Sequence, residues 1–359
     1  MGKLEKRSWR NLFIDLKNDP ERKSFLKMIG EVLYLSILHK GFPRHYFSRF
    51  LFKKDRTNIG DFFPDNFLYY KLKPYLNNKH VNEVLENKLF FNFYYSQFDI
   101  SLPEIVMFNH KKMFVAGTKC SEVNNVNELK ILLEELFNNN PDCNSLIIKK
   151  TYWSYGGDKI YKFYRDEINT KAENIAELYN EVIKAGFLFQ KTIKQNEQLN
   201  KLNSSSINTI RFDTFNDATG KIDIMSGYLR MSVGDTYVDN ISSGGCMVGI
   251  DLETGKLKKN AYRTFRYYGV KILTEHPATR TKFENFTIPF FDQAKELVKK
   301  TAGLMPDLRL TGWDVAIGES GPILVEGNSD YDLSGNDLNF GGYRSNPVFR
   351  KMLHELHYL

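Results

Sequence analysis

Two short apolar segments late in the chain carry side chains that could bind a metal ion. They cover residues 312–317 and 323–328, and the Gly- and Ser-containing stretch between them favours a tight turn, so we expect a β-hairpin. Side chains alternate along a strand, which places Glu326 and Asn328 on one face and leaves Asp314 as the polar position of the first strand. Two carboxylates and one amide oxygen suit Mg²⁺. A hairpin with solvated polar side chains would show the same pattern.

Two arginines lie between apolar neighbours in strand-like segments. Alternation places Arg211 on one face with Thr209 and Asp213, and Arg230 has the same kind of surroundings. An arginine on the polar face of a strand near metal-binding carboxylates could hold a phosphate group. Structural ion pairs with Asp213 or Asp239 would explain these arginines equally well.

The common nucleotide-binding motifs, G-x-x-x-x-G-K-[ST] and G-x-G-x-x-G, are absent, as are H-E-x-x-H and G-x-S-x-G. A different arrangement could hold phosphates. Lys150 ends an apolar strand, and Gly156 and Gly157 follow six residues later, where backbone N–H groups could approach phosphate oxygens without a Cβ in the way. The same glycines would also make a tight turn between two strands.

One further segment could contact a nucleotide base. Residues 187–193 read as a strand whose backbone groups could face an adenine edge. Glu197 follows and could reach ribose hydroxyls, although an ordinary surface carboxylate is the alternative.

Length and composition limit the elements that must position these residues. The chain has 359 residues, 42% of them hydrophobic, which suffices for two or three domains with buried cores. The formal net charge of +7 favours anionic partners such as a nucleotide, nucleic acid, an acidic sugar or a membrane surface. Three cysteines without paired or zinc-binding spacing indicate a reducing compartment. Without a recognisable signal peptide or membrane span, we expect a cytoplasmic protein.

Hydrophobic periodicity predicts an α+β protein. Predicted strands lie at residues 146–148, 159–164, 187–189, 207–215, 222–231 and 247–251, before the hairpin. Predicted helices lie near residues 82–98, 129–137, 175–183 and 291–304. Residues 1–80 are basic and aromatic, with a helix after Asp19-Pro20. The mixed run 44–54 could bind nucleic acid or an anionic membrane, but a helix with a buried aromatic side and a solvated basic side is favoured.

The ordered set of segments resembles the ATP-grasp superfamily, in the branch described as sugar-transfer-associated ATP-grasp, which is related to teichuronopeptide-type polysaccharide biosynthesis proteins. The resemblance covers roughly residues 85–335. The matching segments are residues 205–211, 244–245 with 248–256, 276–277, 288–294, 312–316 and 321–328. It implies an ATP-grasp fold in which two α+β lobes hold ATP, preceded by a mostly helical region at 1–80. Residues 81–190 would include the small lobe with the phosphate loop, and residues 191–359 would form the large lobe with the hairpin.

The resemblance also implies roles for individual residues. Contacts to ATP phosphates are implied for Lys88, Lys150, Gly156 and Gly157. Contacts to adenine are implied for Gln190, Lys191 and Ile193. Magnesium ligands are implied at Asp314, Glu326 and Asn328, with Glu326 bridging two ions. Contacts to the transferred phosphate and the acyl substrate are implied for Arg211, Arg230 and Asn240.

The implied reaction is ADP-forming carboxylate–amine ligation through an acyl phosphate, with ATP and Mg²⁺ as cofactors. The substrates would be a small-molecule or glycan carboxylate and an amine, giving an amide on an acidic sugar or amino acid of a capsule or teichuronic-type surface polysaccharide. The alternatives are a kinase for a small molecule, and a non-catalytic ATP-binding or nucleic-acid-binding protein. We expect no nucleic-acid partner, and contact with a membrane surface through the basic N-terminal region is a further expectation.

Overall fold

The computed structural model of the chain describes residues 6–152, 160–234 and 244–358. These residues form two six-stranded sheets in which every neighbouring pair of strands is antiparallel. The predicted α+β class with two lobes and N-terminal helices is confirmed.

Besides a π-helical segment (Phe67–Leu72) and two 3-10 turns (Ile59–Asp61 and Lys73–Tyr75), the described part of the N-terminal region contains three α-helices, and it packs on the large sheet. The helices are α1 (Trp9–Asn18), α2 (Phe25–His39) and α3 (Arg44–Ser48). Helix α2 begins after the cap residue Ser24 and buries Met28 and Leu35. These two side chains join a cluster that includes Tyr228 and Met247 of the large sheet. Many other apolar side chains of α2, among them Phe25, Ile29 and Leu33, are exposed.

Two further helices lie where the sequence predicted one. They are α4 (Asn82–Glu86) and α5 (Lys88–Tyr95), and the break falls at Asn87. The Asn87 side-chain oxygen accepts hydrogen bonds from the backbone N–H groups of Leu89 and Phe90, which caps α5. Leu85 and Phe91 are buried in the core of the large lobe, so both helices pack with the large lobe although they precede the small one in sequence.

The small lobe is a sheet with the strand order β3-β2-β1-β6-β4-β5. Its strands are β1 (Ile105–His110), β2 (Met113–Ala116), β3 (Lys119–Glu122), β4 (Ser145–Lys150), β5 (Ile160–Tyr164) and β6 (Gly186–Lys191), and its helices are α6 (Val126–Asn139), α7 (Glu167–Thr170) and α8 (Ala172–Val182). Leu146 and Ile148 of β4 lie in one core with Leu133 of α6 and Leu178 of α8. Alternation therefore turns Lys149 to the other face of the sheet.

The large lobe is a sheet with the strand order β10-β9-β8-β7-β11-β12. Its strands are β7 (Thr209–Asn216), β8 (Ile222–Met231), β9 (Cys246–Ile250), β10 (Leu257–Tyr262), β11 (Leu310–Ile317) and β12 (Pro322–Asn328), and its helices are α9 (Glu197–Asn200), α10 (Phe265–Tyr268), α11 (Phe291–Gly303), α12 (Ser334–Phe340) and α13 (Pro347–Glu355). Ile210, Phe212 and Trp313 join Phe291 and Val298 of α11 in the main core. The polar residues that alternate with them face the opposite side of the sheet.

No helix in the described ranges combines the length and hydrophobicity needed to cross a bilayer.

Candidate active site

The predicted hairpin is present as β11 and β12, and it joins the three proposed metal ligands. Asp314 lies directly opposite Glu326, and Gly312 lies opposite Asn328. Residues that face each other across antiparallel strands point to the same side, so the three polar side chains share one face. The Nδ2 atom of Asn328 lies 3.4 Å from Oε1 of Glu326. Glu326 and Asn328 line a cavity of about 530 Å³, whereas Asp314 is buried beneath it.

Both predicted arginines bind Asp314. Arg211 lies opposite Asp314 on the neighbouring strand β7, and its Nη2 donates to Oδ2 at 3.0 Å. Arg230 of β8 places Nη2 2.7 Å from the same Oδ2. The alternative partner Asp213 instead accepts hydrogen bonds from Ser226 at 3.1 Å and Tyr343 at 2.6 Å. The arginines therefore belong to the cluster of Asp314, Glu326 and Asn328, and Asp213 belongs to the packing beneath it.

The two guanidinium groups determine the charge of Asp314. Burial alone would raise the pKa of this carboxyl, but Arg211 and Arg230 outweigh burial and hold the pKa well below its ordinary value. Asp314 is therefore ionised throughout the physiological range. The arginines are oriented by this anion, and Arg230 also donates to the Thr209 hydroxyl at 3.1 and 2.8 Å.

Lys88 lies at the edge of the same cavity. Its Nζ is 3.8 Å from Oε2 of Glu326, and its backbone N–H donates to the carbonyl of Thr151 at 2.8 Å. Thr151 directly follows β4, so the start of α5 on the large lobe is joined to the end of a small-lobe strand. Asn87 fixes this start through the helix cap described above.

Lys149 is a site residue that sequence reasoning missed. It is buried, and burial is the main cause that lowers the pKa of its ammonium group to about 8; Glu326 opposes this shift and Lys88 adds to it. The neighbouring Lys150 points to the opposite face of β4, the face that carries Leu146 and Ile148. Counting every second residue from Leu146 and Ile148 places Lys149 on the opposite face of β4, and this could have identified it. Ile147 lies on the same face as Lys149 and is also apolar, so the sequence did not show which face of the strand packs in the core of the lobe.

The residues predicted to contact adenine lie on β6 and just beyond it. Gln190 is buried and, opposite Ile147, faces the same side as Lys149. Lys191 points to the other side, with Nζ 3.0 Å from Oε2 of Glu104. Ile193 is half-buried and Glu197 is exposed at the start of α9. The backbone N–H of Asn196 donates to the carbonyl of Ile317 at 2.9 Å, so this segment meets the end of the strand that carries Asp314.

Three predicted site residues, Gly156, Gly157 and Asn240, lie outside the described residues. The described site therefore brings together Lys88, Arg211, Arg230, Asp314, Glu326 and Asn328 from the predicted set and adds Lys149.

The donor atoms of this cluster fit a magnesium ion. They are all oxygens, two carboxylates and one amide, and Glu326 and Asn328 open into the cavity. Asp314 shares its oxygens with two guanidinium groups, so it would be a ligand that also holds the arginines. The described part of the chain contains no group of three or more histidine, cysteine or carboxylate side chains that could hold a metal ion.

Several solved structures are similar at low sequence identity. A D-alanyl-alanine synthetase A from Vibrio cholerae O1 biovar eltor has 13% identity and a TM-score of 0.45, covering 79% of this chain and 68% of that chain. A D-cycloserine synthetase has 9% identity and a TM-score of 0.43, covering 78% and 73%. A D-alanine–D-alanine ligase from Bacillus anthracis has 13% identity and a TM-score of 0.41, covering 78% and 69%. No curated protein sequence matches the chain significantly.

A family model described as sugar-transfer associated ATP-grasp matches residues 69–345. This range contains both sheets, helices α4 and α5, and the hairpin with its carboxylates. The ATP-grasp fold predicted from the sequence is therefore confirmed, and such a domain implies an ATP-dependent enzyme of the ligase type. The chain belongs to the sugar-transfer associated ATP-grasp family.

Proposed function

We propose that the protein is an ADP-forming carboxylate–amine ligase that acts through an acyl phosphate. The observation that carries this proposal is the cluster in which Arg211 and Arg230 bind Asp314 beside the cavity lined by Glu326 and Asn328. It combines cations with oxygen ligands. Such a set can position and neutralise phosphate groups without forming a covalent enzyme intermediate.

The phosphates of ATP would contact the two lysines that face Glu326. Lys88 is held by the backbone bond to Thr151, and Lys149 is held by its strand, so both would meet a phosphate with little reorganisation. Glu326, Asn328 and Asp314 would hold magnesium. When bound, Mg²⁺ would neutralise phosphate charge, and two ions are expected in this family.

The reaction would consist of two displacements. First, an oxygen of the acceptor carboxylate bonds to the γ-phosphorus of ATP, and the bond from this phosphorus to the β,γ-bridging oxygen breaks and releases ADP. Second, the amine nitrogen bonds to the acyl carbon, the carbon–oxygen bond to phosphate breaks, and the nitrogen loses a proton. Both steps place negative charge on oxygens, and Arg211 and Arg230 are placed to stabilise it.

A second cavity, of about 680 Å³, suits an anionic acceptor. Arg230 and Asn328 line this cavity as well as the first one, so the two cavities meet at the reacting groups. Arg263 and Arg266 also line it, and within the described ranges neither forms an ion pair with a carboxylate. The lining of this cavity contains six arginines and three aspartates, and its net positive charge supports an acidic sugar or amino acid of a surface polysaccharide as the acceptor.

A product assay tests the proposal. Purified protein with Mg-ATP would be given a panel of uronic acids and amino acids, each with and without amines, and ADP release and product mass would be measured. ADP release that requires both a carboxylate and an amine, with loss of water in the product mass, is the expected result. A stable phosphorylated product from one acceptor would instead identify a kinase, and ATP binding without any turnover would identify a non-catalytic protein.

Glu326→Gln provides the matched control for that assay. The substitution removes the charge of the ligand that faces the cavity but keeps its size, and we expect turnover to fall by at least about a hundredfold. The fold should be intact, because Glu326 is partly exposed and its ion pair with Lys88 is long. Wild-type rates in this variant would contradict the site assignment.

A further inference from the structure

The N-terminal helices α1 and α2 leave a large apolar surface in contact with solvent. Leu26 and Ile37 of α2 are 84% and 80% exposed, so these two apolar side chains lie almost entirely in solvent. Four of the exposed side chains of α2, Leu26, Ile29, Leu33 and Ile37, follow one another at intervals of three or four residues, which is the spacing of one side of a helix. This apolar face consists of Trp9, Phe13, Leu26, Ile29, Leu33 and Ile37.

The other sides of the same helices are packed against the protein. Leu12 and Leu16 of α1, and Met28 and Leu35 of α2, are buried in one cluster with side chains of the large sheet. The helices are therefore anchored in the fold, and their apolar face points away from it. Burying this face would remove apolar side chains from water at a gain of about 25 cal/mol per Å².

The charges around the apolar face are almost all positive. The acidic residues Asp15, Asp19 and Glu31 form ion pairs with Arg7, Lys53 and Lys23, respectively. Glu21 is the one exposed carboxylate among described residues 6–44. The exposed cations of the same stretch are Lys6, Arg10, Lys17, Lys27, Lys40 and Arg44.

We infer that this face binds the surface of a lipid bilayer that contains anionic lipids. An apolar side inserted at the boundary between headgroups and acyl chains, with lysines and arginines among the headgroups, is the arrangement of an interfacial helix. The cations would interact with the negative surface potential of the membrane. Two copies of the chain facing each other through this surface would bring like charges together, which disfavours a dimer as the occupant.

The surface lies beside the second cavity. Trp9 of the apolar face lines that cavity, and so do Phe42 and Arg44, which follow α2. A bilayer in contact with the apolar face would therefore lie at the side of the cavity proposed for the acceptor. This step rests on the proposed ligase function. If that function holds, the acceptor is an acidic sugar attached to a membrane lipid.

Vesicle co-sedimentation tests the membrane proposal without nucleotide or substrate, so its outcome is independent of the ligase assignment. Wild-type protein would be mixed with two kinds of vesicle. One contains phosphatidylcholine alone, and in the other phosphatidylglycerol makes up about one third of the lipid. We expect binding to the anionic vesicles that weakens at high salt. The variant Leu26→Glu/Ile37→Glu should bind at least about tenfold more weakly.

The control carries the same two charges on the small lobe, as Met113→Glu/Ile131→Glu, at side chains that are 45% and 54% exposed. It should bind vesicles like the wild type. All variants should keep the wild-type thermal midpoint and the wild-type rate of ADP release with a soluble acceptor. Absence of wild-type binding to anionic vesicles, equal binding by both double variants, or a concentration-dependent dimer that the Leu26/Ile37 variant abolishes would each overturn the proposal.

Discussion

At the scale of residues, Asp314 and Glu326 face each other across two strands but have different surroundings. Asp314 is buried and binds two guanidinium groups, whereas Glu326 is partly exposed and forms a long ion pair with Lys88. Removing one partner of a buried ion pair leaves the other charges without compensation, which costs far more than removing an exposed charge. The two carboxylates should therefore differ in what they contribute to stability, although both would contribute to turnover.

Asp314→Asn should lower the free energy of unfolding by about 3 to 5 kcal/mol, because Arg211 and Arg230 would be left without their anion. Glu326→Gln should change it by less than about 0.5 kcal/mol. Urea denaturation followed by tryptophan fluorescence measures both values. Equal destabilisation by the two substitutions would show that Asp314 is not the structural anion of the cluster.

Lys149 should make ATP binding depend on pH. Its pKa of about 8 in the free protein means that it loses its charge as the pH rises through 8. Bound phosphate would favour the charged form, so the dissociation constant for ATP should rise with pH above 8, by at most about tenfold per unit. Isothermal titration calorimetry between about pH 7 and about pH 9.5 measures this dissociation constant on both sides of the pKa.

Substitution at neighbouring positions separates the two lysines of β4. Lys149→Arg should remove the pH dependence, because a guanidinium group stays charged in this range, and Lys149→Met should weaken ATP binding at every pH. Lys150→Met, on the opposite face of the strand, should behave like the wild type. If Lys150→Met abolished the pH dependence instead, Lys150 would be the lysine that contacts the ATP phosphates, as expected from the sequence, and the role proposed for Lys149 would be wrong.

At the scale of elements, the hairpin was predictable and the position of Lys88 was not. Strong apolar runs with turn residues between them identify β11 and β12, and alternation places their polar side chains. The continuous apolar pattern of residues 82–98 predicts a single helix, whereas Asn87 interrupts it by capping α5. Whether Asn87 caps a new helix or continues the preceding one depends on how the backbone packs against the large lobe. The sequence alone does not specify this packing.

Asn87→Ala should lower stability by about 1 kcal/mol and raise the KM for ATP with little change in kcat, because the lost cap loosens the start of α5 and with it Lys88. Asn87→Asp keeps an oxygen that can cap the helix and should restore the KM. Steady-state kinetics of ADP release, with thermal unfolding as the control, distinguish the two. A fall in kcat at unchanged KM would place Asn87 in a different role.

At the scale of the whole molecule, the sequence predicted two lobes, and their ordered motifs predicted the family. It did not predict where the N-terminal region packs. The run at residues 44–54 buries its aromatic side chains against the large sheet and α10, as expected. The rest of that prediction was wrong, because the helix ends at Ser48 and the cations Arg49 and Lys53 are buried rather than solvated. Hydrophobic periodicity shows that a side chain needs a partner surface and does not identify that surface. The exposed apolar face of α2 is the opposite case, a periodic pattern whose partner lies outside the described chain.

The N-terminal helices pack on the same side of the large sheet that carries Arg211 and Arg230, since Tyr228 and Met247 are the strand neighbours of these arginines. An acyl phosphate is a reactive mixed anhydride that water hydrolyses, and each such event would consume ATP without forming an amide. Helices that lie over this side of the sheet would keep bulk solvent away from the intermediate. The N-terminal helices, which would bind the membrane, would thereby also determine how many ATP molecules are consumed for each amide bond formed.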